Sequence, residues 1–343
     1  MNRLRSEDLT IPTFDEIVSR ASAHQASVTN LVHIDVAAGV VFKAFLSTTN
    51  GVMMRSGIPR SDARGEEAHA INEAEQLVLL KRILHDVKDV YSPQVLGRNG
   101  AVLAIEYLNG IEMSALTAQG NLTKDDFVKI ARVLATIHQR LATEAPYIRE
   151  HFPIPKKHTA NPIVCFEEKT SRLREQDWKE TPQLIARRFS ALVEKARAVS
   201  VQSSYHIFPD AIFGDAKDDN MITVPDGRIA VFDPALCAGR LSMDIAKFAR
   251  SILLKNPTAY RAHFQNFLSA YYEHMGGSPD EGEIAHMLGI DMLNIIRGYL
   301  QTPESLLSAF PPVVRNVQEH IDEDFLFIER ALEGDLGLQA RPQ

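Results

Sequence analysis

The sequence predicts an α+β chain in two regions, a first one built on a small sheet (residues 1–109) and a larger, mainly helical one (residues 110–343). Three observations predict it. Short runs rich in Val, Ile and Phe mark the chain before residue 110. Apolar residues at helical spacing dominate after it. One isolated pair of apolar runs, flanked by amide and carboxylate side chains, interrupts the helices near residue 220.

In the first region, Val28 to Asp35, Val40 to Leu46 and Ala101 to Leu108 are each bounded by turn residues and read as strands. Ser47 to Glu67 is polar and reads as a long loop. From Ala68 to Leu84, residues Ile71, Ala74, Leu77, Leu80 and Leu84 recur at helical spacing, which predicts one buried stripe. The order is strand, strand, helix, strand.

Past Tyr107-Leu108-Asn109-Gly110 the pattern turns helical. Lys124 to Ala142 carries the clearest signal: Thr123 can cap it, Asp126 follows three residues on, and Phe127, Ile130, Ala131, Leu134, Ile137 and Leu141 line one face. His138, on or near that face, reads as a packed structural histidine. Further helices are predicted at about 183–199, 242–254, 257–275, 280–300 and 311–333, with one β island from Ala211 to Phe232 among them.

Bulk properties limit the function classes. Hydrophobic residues make up 45% and charged residues 24% of 343, the balance of a globular chain. A net charge of -7 argues against a nucleic-acid binder, which needs a basic footprint. The two cysteines, Cys165 and Cys237, lack CxxC spacing, so neither a disulfide framework nor a zinc site is expected. The N-terminus has no apolar signal segment, and no apolar run reaches the roughly 18 residues of a membrane span. A cytoplasmic protein without a membrane partner is the expectation.

The island carries the chemistry. Met221 to Val224 and Ile229 to Phe232 are apolar runs of equal length, joined by the turn Pro225-Asp226-Gly227-Arg228. Paired as a hairpin, they bring Asn220 and Asp233 to the open end. An amide oxygen and a carboxylate are hard ligands suited to magnesium bound together with phosphate oxygens. Asp215, in the preceding loop, is a candidate to accept or orient a hydroxyl proton, and Lys217 adds positive charge for a moving phosphoryl group. Asp218 and Asp219 read as solvated loop carboxylates. So do Asp280, Glu281 and Glu283 at a helix start, and Asp244 reads as a cap and loop brace.

The run from Phe213 to Pro234 resembles the catalytic segment of the aminoglycoside phosphotransferase and choline kinase group, relatives of protein kinases. The group's pattern is His-Gly-Asp, four residues, Asn, a hairpin, and a metal-binding Asp. The resemblance implies a protein-kinase-like two-lobed fold, Asp215 as catalytic aspartate, and Asn220 and Asp233 as magnesium ligands. Leu241 to Ala246 is similar to the later segment whose aspartate, here Asp244, supports the catalytic loop. In the first region Lys43 falls on the strand lysine that contacts the α and β phosphates of ATP, and Glu73 on the helix glutamate that pairs with it. Glu75 competes for that role. Pro93 to Leu96 resembles the strand leading into the hinge, where adenine would meet backbone around Glu106, Tyr107 and Leu108. Ser27 to Asn30 stands where a nucleotide loop would be, without its glycines. Phe213 replaces the group's histidine, and Pro234-Ala235 follows Asp233 instead of Phe-Gly. The implied activity is ATP- and Mg2+-dependent transfer of phosphate to a hydroxyl of a small molecule. A protein kinase and a non-catalytic nucleotide-binding protein are the alternatives.

Overall fold

A computed structural model of the chain describes residues 31–35, 40–44, 63–99, 102–106, 108–152, 163, 166, 183–300 and 320–338. In chain order the elements are β1 (Leu31–Asp35), β2 (Val40–Ala44), α1 (Ala63–Ile83), β3 (Val90–Tyr91), β4 (Val95–Asn99), β5 (Val102–Glu106) and β6 (Ile111–Glu112). Then come α2 (Met113–Ala118), α3 (Lys124–Thr143), α4 (Ala145–His151), α5 (Gln183–Gln202), β7 (Asp210–Ile212), β8 (Met221–Thr223), β9 (Ile229–Val231) and β10 (Cys237–Gly239). Helices α6 (Leu241–Lys255), α7 (Pro257–Met275), α8 (Glu281–Leu300) and α9 (Ile321–Ala331) follow. The chain divides into two compact units. The first holds residues 1–111 and 222–234, the second residues 112–221 and 235–343.

In the first unit, β1, β2, β5 and β4 form a four-stranded sheet in that order, with antiparallel neighbours. Ala74 and Leu77 of α1 pack with Val95, Leu103 and Ile105 into one apolar cluster. The predicted stripe is buried at Ala74, Leu77, Leu80 and Leu84, whereas Ile71 is 37% exposed. Helix α1 also starts at Ala63, inside the stretch expected to be loop. Residues 63–67 are mostly polar helix formers, so they join the helix without adding to its apolar periodicity.

The predicted hairpin forms from β8 and β9, and β9 also pairs in parallel with β3. Val224 N–H donates to the Arg228 carbonyl, and the Asp226 carboxylate accepts the Arg228 N–H at 3.0 Å, which closes the turn. Gly227, at φ 83°, takes the left-handed conformation that glycine adopts without steric cost. Gly110 must also be glycine: an added Cβ would run into the Thr223 carbonyl of β8.

The second unit is a helical assembly around α3 and α7. The capping box of α3 is formed, with Asp126 N–H on the Thr123 hydroxyl and Thr123 N–H on the Asp126 carboxylate, and all six predicted face residues are buried. An aromatic file runs through this core. Phe248 stacks on Phe267 at 4.8 Å between ring centres, and Phe264 on Phe267 at 5.4 Å. Strands too short to leave a periodic signal, β7 and β10, pair antiparallel beside the loop that begins at Phe213.

Candidate active site

The loop from Phe213 to Asn220 lies wholly in the second unit, and helix α6 holds it. Asp244, in the first turn of α6, accepts the Phe213 N–H on Oδ2 at 2.7 Å and the Gly214 N–H on Oδ1 at 2.9 Å. The same carboxylate lies 2.9 Å from His138 Nε2, whose Nδ1 is 2.6 Å from the Tyr271 hydroxyl. His138 is therefore the packed structural residue its place on α3 predicted, and Asp244 braces the loop. Phe213 is buried, and its carbonyl accepts the Ala235 N–H at 2.9 Å. Gly214 sits at φ 81°, which a side chain would strain.

Asp215 follows this anchored pair. Its Oδ2 lies 2.9 Å from Lys217 Nζ and accepts the Asn220 amide at 2.8 Å, while its Oδ1 lies 3.3 Å from Lys247 Nζ. Asn220 Nδ2 also donates to the Asp215 carbonyl at 2.9 Å. The spacing has a local cause: Lys217 N–H bonds back to the Asp215 carbonyl, and Asp218–Asn220 form one 3-10 turn that swings Asn220 beneath Asp215. Burial pushes the Asp215 carboxyl upward, but the charges of Lys247 and Lys217 and the two side-chain hydrogen bonds outweigh it. The carboxyl is held well below the ordinary carboxylate range and is ionised at neutral pH.

Two expectations about acidic residues fail. Asp218 is 0% exposed rather than solvated. Its Oδ1 pairs with Lys255 at 2.7 Å and its N–H meets the Ser251 hydroxyl, while Asp219 shares Lys255 at 2.8 Å and stays half-exposed. Glu283 is likewise drawn inward. Arg240 binds it through Nε at 2.8 Å and Nη2 at 2.7 Å, and the Ser242 hydroxyl donates to it. In both cases the partners lie 33 to 43 residues away, so no local pattern announces them.

The remaining candidates belong to the first unit. Lys43 lies on β2 in register with Leu103 of β5. Glu73 of α1 is buried and Glu75 exposed. The Glu106 carboxylate accepts the Tyr91 hydroxyl at 2.6 Å and the Gln94 N–H at 3.0 Å. Tyr91 in turn lies between Lys81, 3.7 Å from its ring centre, and Arg228, 4.7 Å away. Burial and the bond to Glu106 push the Tyr91 phenol up to about 12. Leu108 is half-buried just beyond β5. Asp233 follows β9 at φ 54°, in a left-handed conformation rare outside glycine. Ser27, Asn30 and Tyr107 lie outside the described residues.

The donor set suits magnesium in kind. Asn220 uses Nδ2 toward Asp215, which leaves its amide oxygen, a hard donor of the kind magnesium takes, out of that contact. Among the described residues no three His, Cys, Asp or Glu side chains gather as a metal cluster. A magnesium held by one or two protein groups does not need one.

Lys247 is the site residue that sequence reading missed. Its signal was present: a lysine three residues after Asp244, on the same helix face, amid Ile245, Ala246, Phe248 and Ala249.

No protein-family model matches the chain, and no curated protein matches it by sequence. Solved structures do match. The GDP and kanamycin complex of APH(2")-IIia superposes with a TM-score of 0.54 at 14% identity, over 90% of this chain and 91% of that one. A choline/ethanolamine kinase family protein from Mesorhizobium loti gives 0.50 at 15% identity, over 90% and 86%. The GDP complex of aminoglycoside 2'-phosphotransferase-IIIa gives 0.51 at 15%, over 89% and 90%. The chain has a protein-kinase-like fold. Along the chain, Asp215 and Asn220 precede β8, and Asp233 stands two residues after β9. Among the described residues no helix is long and apolar enough to cross a membrane.

Proposed function

We propose that the chain is an ATP-dependent phosphotransferase that moves the γ-phosphate to a hydroxyl of a small molecule. The observation that carries this reading is the state of Asp215: an ionised carboxylate, anchored on α6 and bonded to Lys217 and Asn220, in a kinase-like fold. Such a carboxylate can accept the O–H of an incoming alcohol and aim its oxygen lone pair at phosphorus. Lys217, on the solvent-reached side of Asp215, opposes charge that builds on the transferring group. Glu73 is buried and Glu75 is not, which supports Glu73 as the partner of Lys43 on the α and β phosphates. Main chain from Glu106 through Tyr107 to Leu108 would meet adenine, and Ser27 and Asn30 would lie along the phosphates.

Asn220 and Asp233 would hold magnesium, which when bound supplies charge neutralisation for the phosphates. The first region would serve the nucleotide and the second the acceptor. The names of the matched structures, which include kanamycin and choline or ethanolamine, support small alcohols as the acceptor class.

The test is ADP release from ATP and Mg2+ over a panel of choline, ethanolamine, kanamycin, streptomycin and simple sugars. Wild type is expected to turn over one of them, and Asp215→Ala to lose turnover by at least 1,000-fold (order of magnitude for losing the group that positions the nucleophile) while still binding nucleotide. Undiminished turnover in Asp215→Ala would refute the assignment.

A further inference from the structure

Lys247 is 1% exposed on a helix whose neighbouring positions are apolar and buried. A buried ammonium is costly unless it is paired and hydrogen-bonded, and its pairing here is specific. Nζ donates to the Gly214 carbonyl at 2.7 Å and lies 3.3 Å from Asp215 Oδ1. Asp244, one turn earlier on the same helix, takes the Gly214 N–H. Successive turns of α6 thus hold both main-chain polar groups of Gly214, one through an acceptor and one through a donor.

The two oxygens of Asp215 consequently differ. Oδ1 faces the sealed Lys247, whereas Oδ2 faces Asn220 and Lys217, whose side chain is 28% exposed. Of the described cations on Asp215, the one that solvent reaches is Lys217, on the Oδ2 side. We propose that Lys247 is a positioning residue that fixes Asp215 through Oδ1 and so reserves Oδ2 as the oxygen that receives the acceptor hydroxyl. This rests on the phosphotransferase reading.

The test compares wild type with Lys247→Met, which keeps chain length and packing, and with Lys247→Arg, which keeps the charge. Turnover is read with whichever of choline, ethanolamine, kanamycin or streptomycin gives the fastest ADP release. Lys247→Met is expected to lower kcat about 100-fold, the scale of a small misplacement of a reacting group. Its Kd for ATP with Mg2+ by calorimetry should stay within about twofold of wild type, and Lys247→Arg should recover about tenfold of the loss, since the carboxylate contact is charge-assisted. A second readout does not involve turnover. In protein labelled with nitrogen-15 lysine, the buried ammonium signal that Lys247→Met abolishes should shift in Asp215→Asn. Wild-type kcat in Lys247→Met beside a dead Asp215→Ala overturns the inference and leaves the phosphotransferase reading standing. A wild type that releases no ADP with any acceptor overturns both. Should Lys247→Met fail to fold, the ammonium is assigned from Lys247→Arg, and a signal unmoved by Asp215→Asn overturns the inference.

Discussion

His138 Nε2 lies 2.9 Å from Asp244 Oδ2 in a core that water hardly reaches, with both side chains almost fully buried. Helix α3 therefore reaches across to α6 through one polar contact, and α6 passes the constraint to the loop through the N–H groups of Phe213 and Gly214. Removing the imidazole should loosen that chain of bonds. His138→Phe is expected to cost about 2 kcal/mol, the scale of a buried hydrogen bond to a charged group. Urea unfolding reads it as a lower midpoint at unchanged slope, and a midpoint equal to wild type would show that the contact bears no weight.

Asp233 at φ 54° makes a backbone prediction. Alanine tolerates the left-handed region poorly and glycine freely. Asp233→Ala should be less stable than Asp233→Gly by about 1 kcal/mol, although both lose the carboxylate and, on the proposed function, Mg2+-dependent nucleotide binding. Chemical denaturation of the two variants side by side tests the order. The reverse order would count against a left-handed residue at this position.

Asp324 gives a pH dependence. Burial pushes its carboxyl from the ordinary 3.8 up to about 6, against the pull of His320. The folded chain then holds this proton where the unfolded chain has released it, so stability falls as pH rises from about 4 to 6 and the loss is complete above that window. Asp324→Asn should be more stable than wild type at pH 7.5 by about 1 kcal/mol, discounted for the solvent that still reaches the group. At pH 3.5 the difference should vanish. Urea midpoints at the two pH values check the sign.

Cys237 is sealed in β10, and burial together with the nearby Asp244 carboxylate pushes its thiol up to about 12. It should resist aromatic disulfide reagents at pH 8 in the native protein and react within seconds to minutes in denaturant, since the thiolate is the nucleophile. A Cys165→Ser background isolates the measurement. Rapid native reaction would mean that the strand opens readily.

Legibility in the sequence followed the range of the interactions. Phe127 to Leu141 announced helix α3 because its partners in pattern sit three or four residues apart, and Thr123 with Asp126 announced its start. The hairpin was visible because its turn, Pro225 to Arg228, is itself a local motif. What stayed hidden was contact between distant segments. Lys255 buries Asp218, Arg240 captures Glu283, and Lys247 reaches back 32 residues to Asp215. Asp218 and Glu283 read as solvated because their partners stand far off in the chain, and only the fold pairs them. Ile71 shows the converse: it keeps the stripe's spacing but lies on the face that α1 leaves open.

The anchoring of Phe213 has a consequence for which side chains position 213 can carry. Its amide and carbonyl do the holding, toward Asp244 and Ala235, and its ring only fills space. Any residue but proline at 213 carries the N–H and carbonyl that make the same two attachments. A loop held this way needs no imidazole at 213, only a main-chain N–H and the Asp244 carboxylate that receives it.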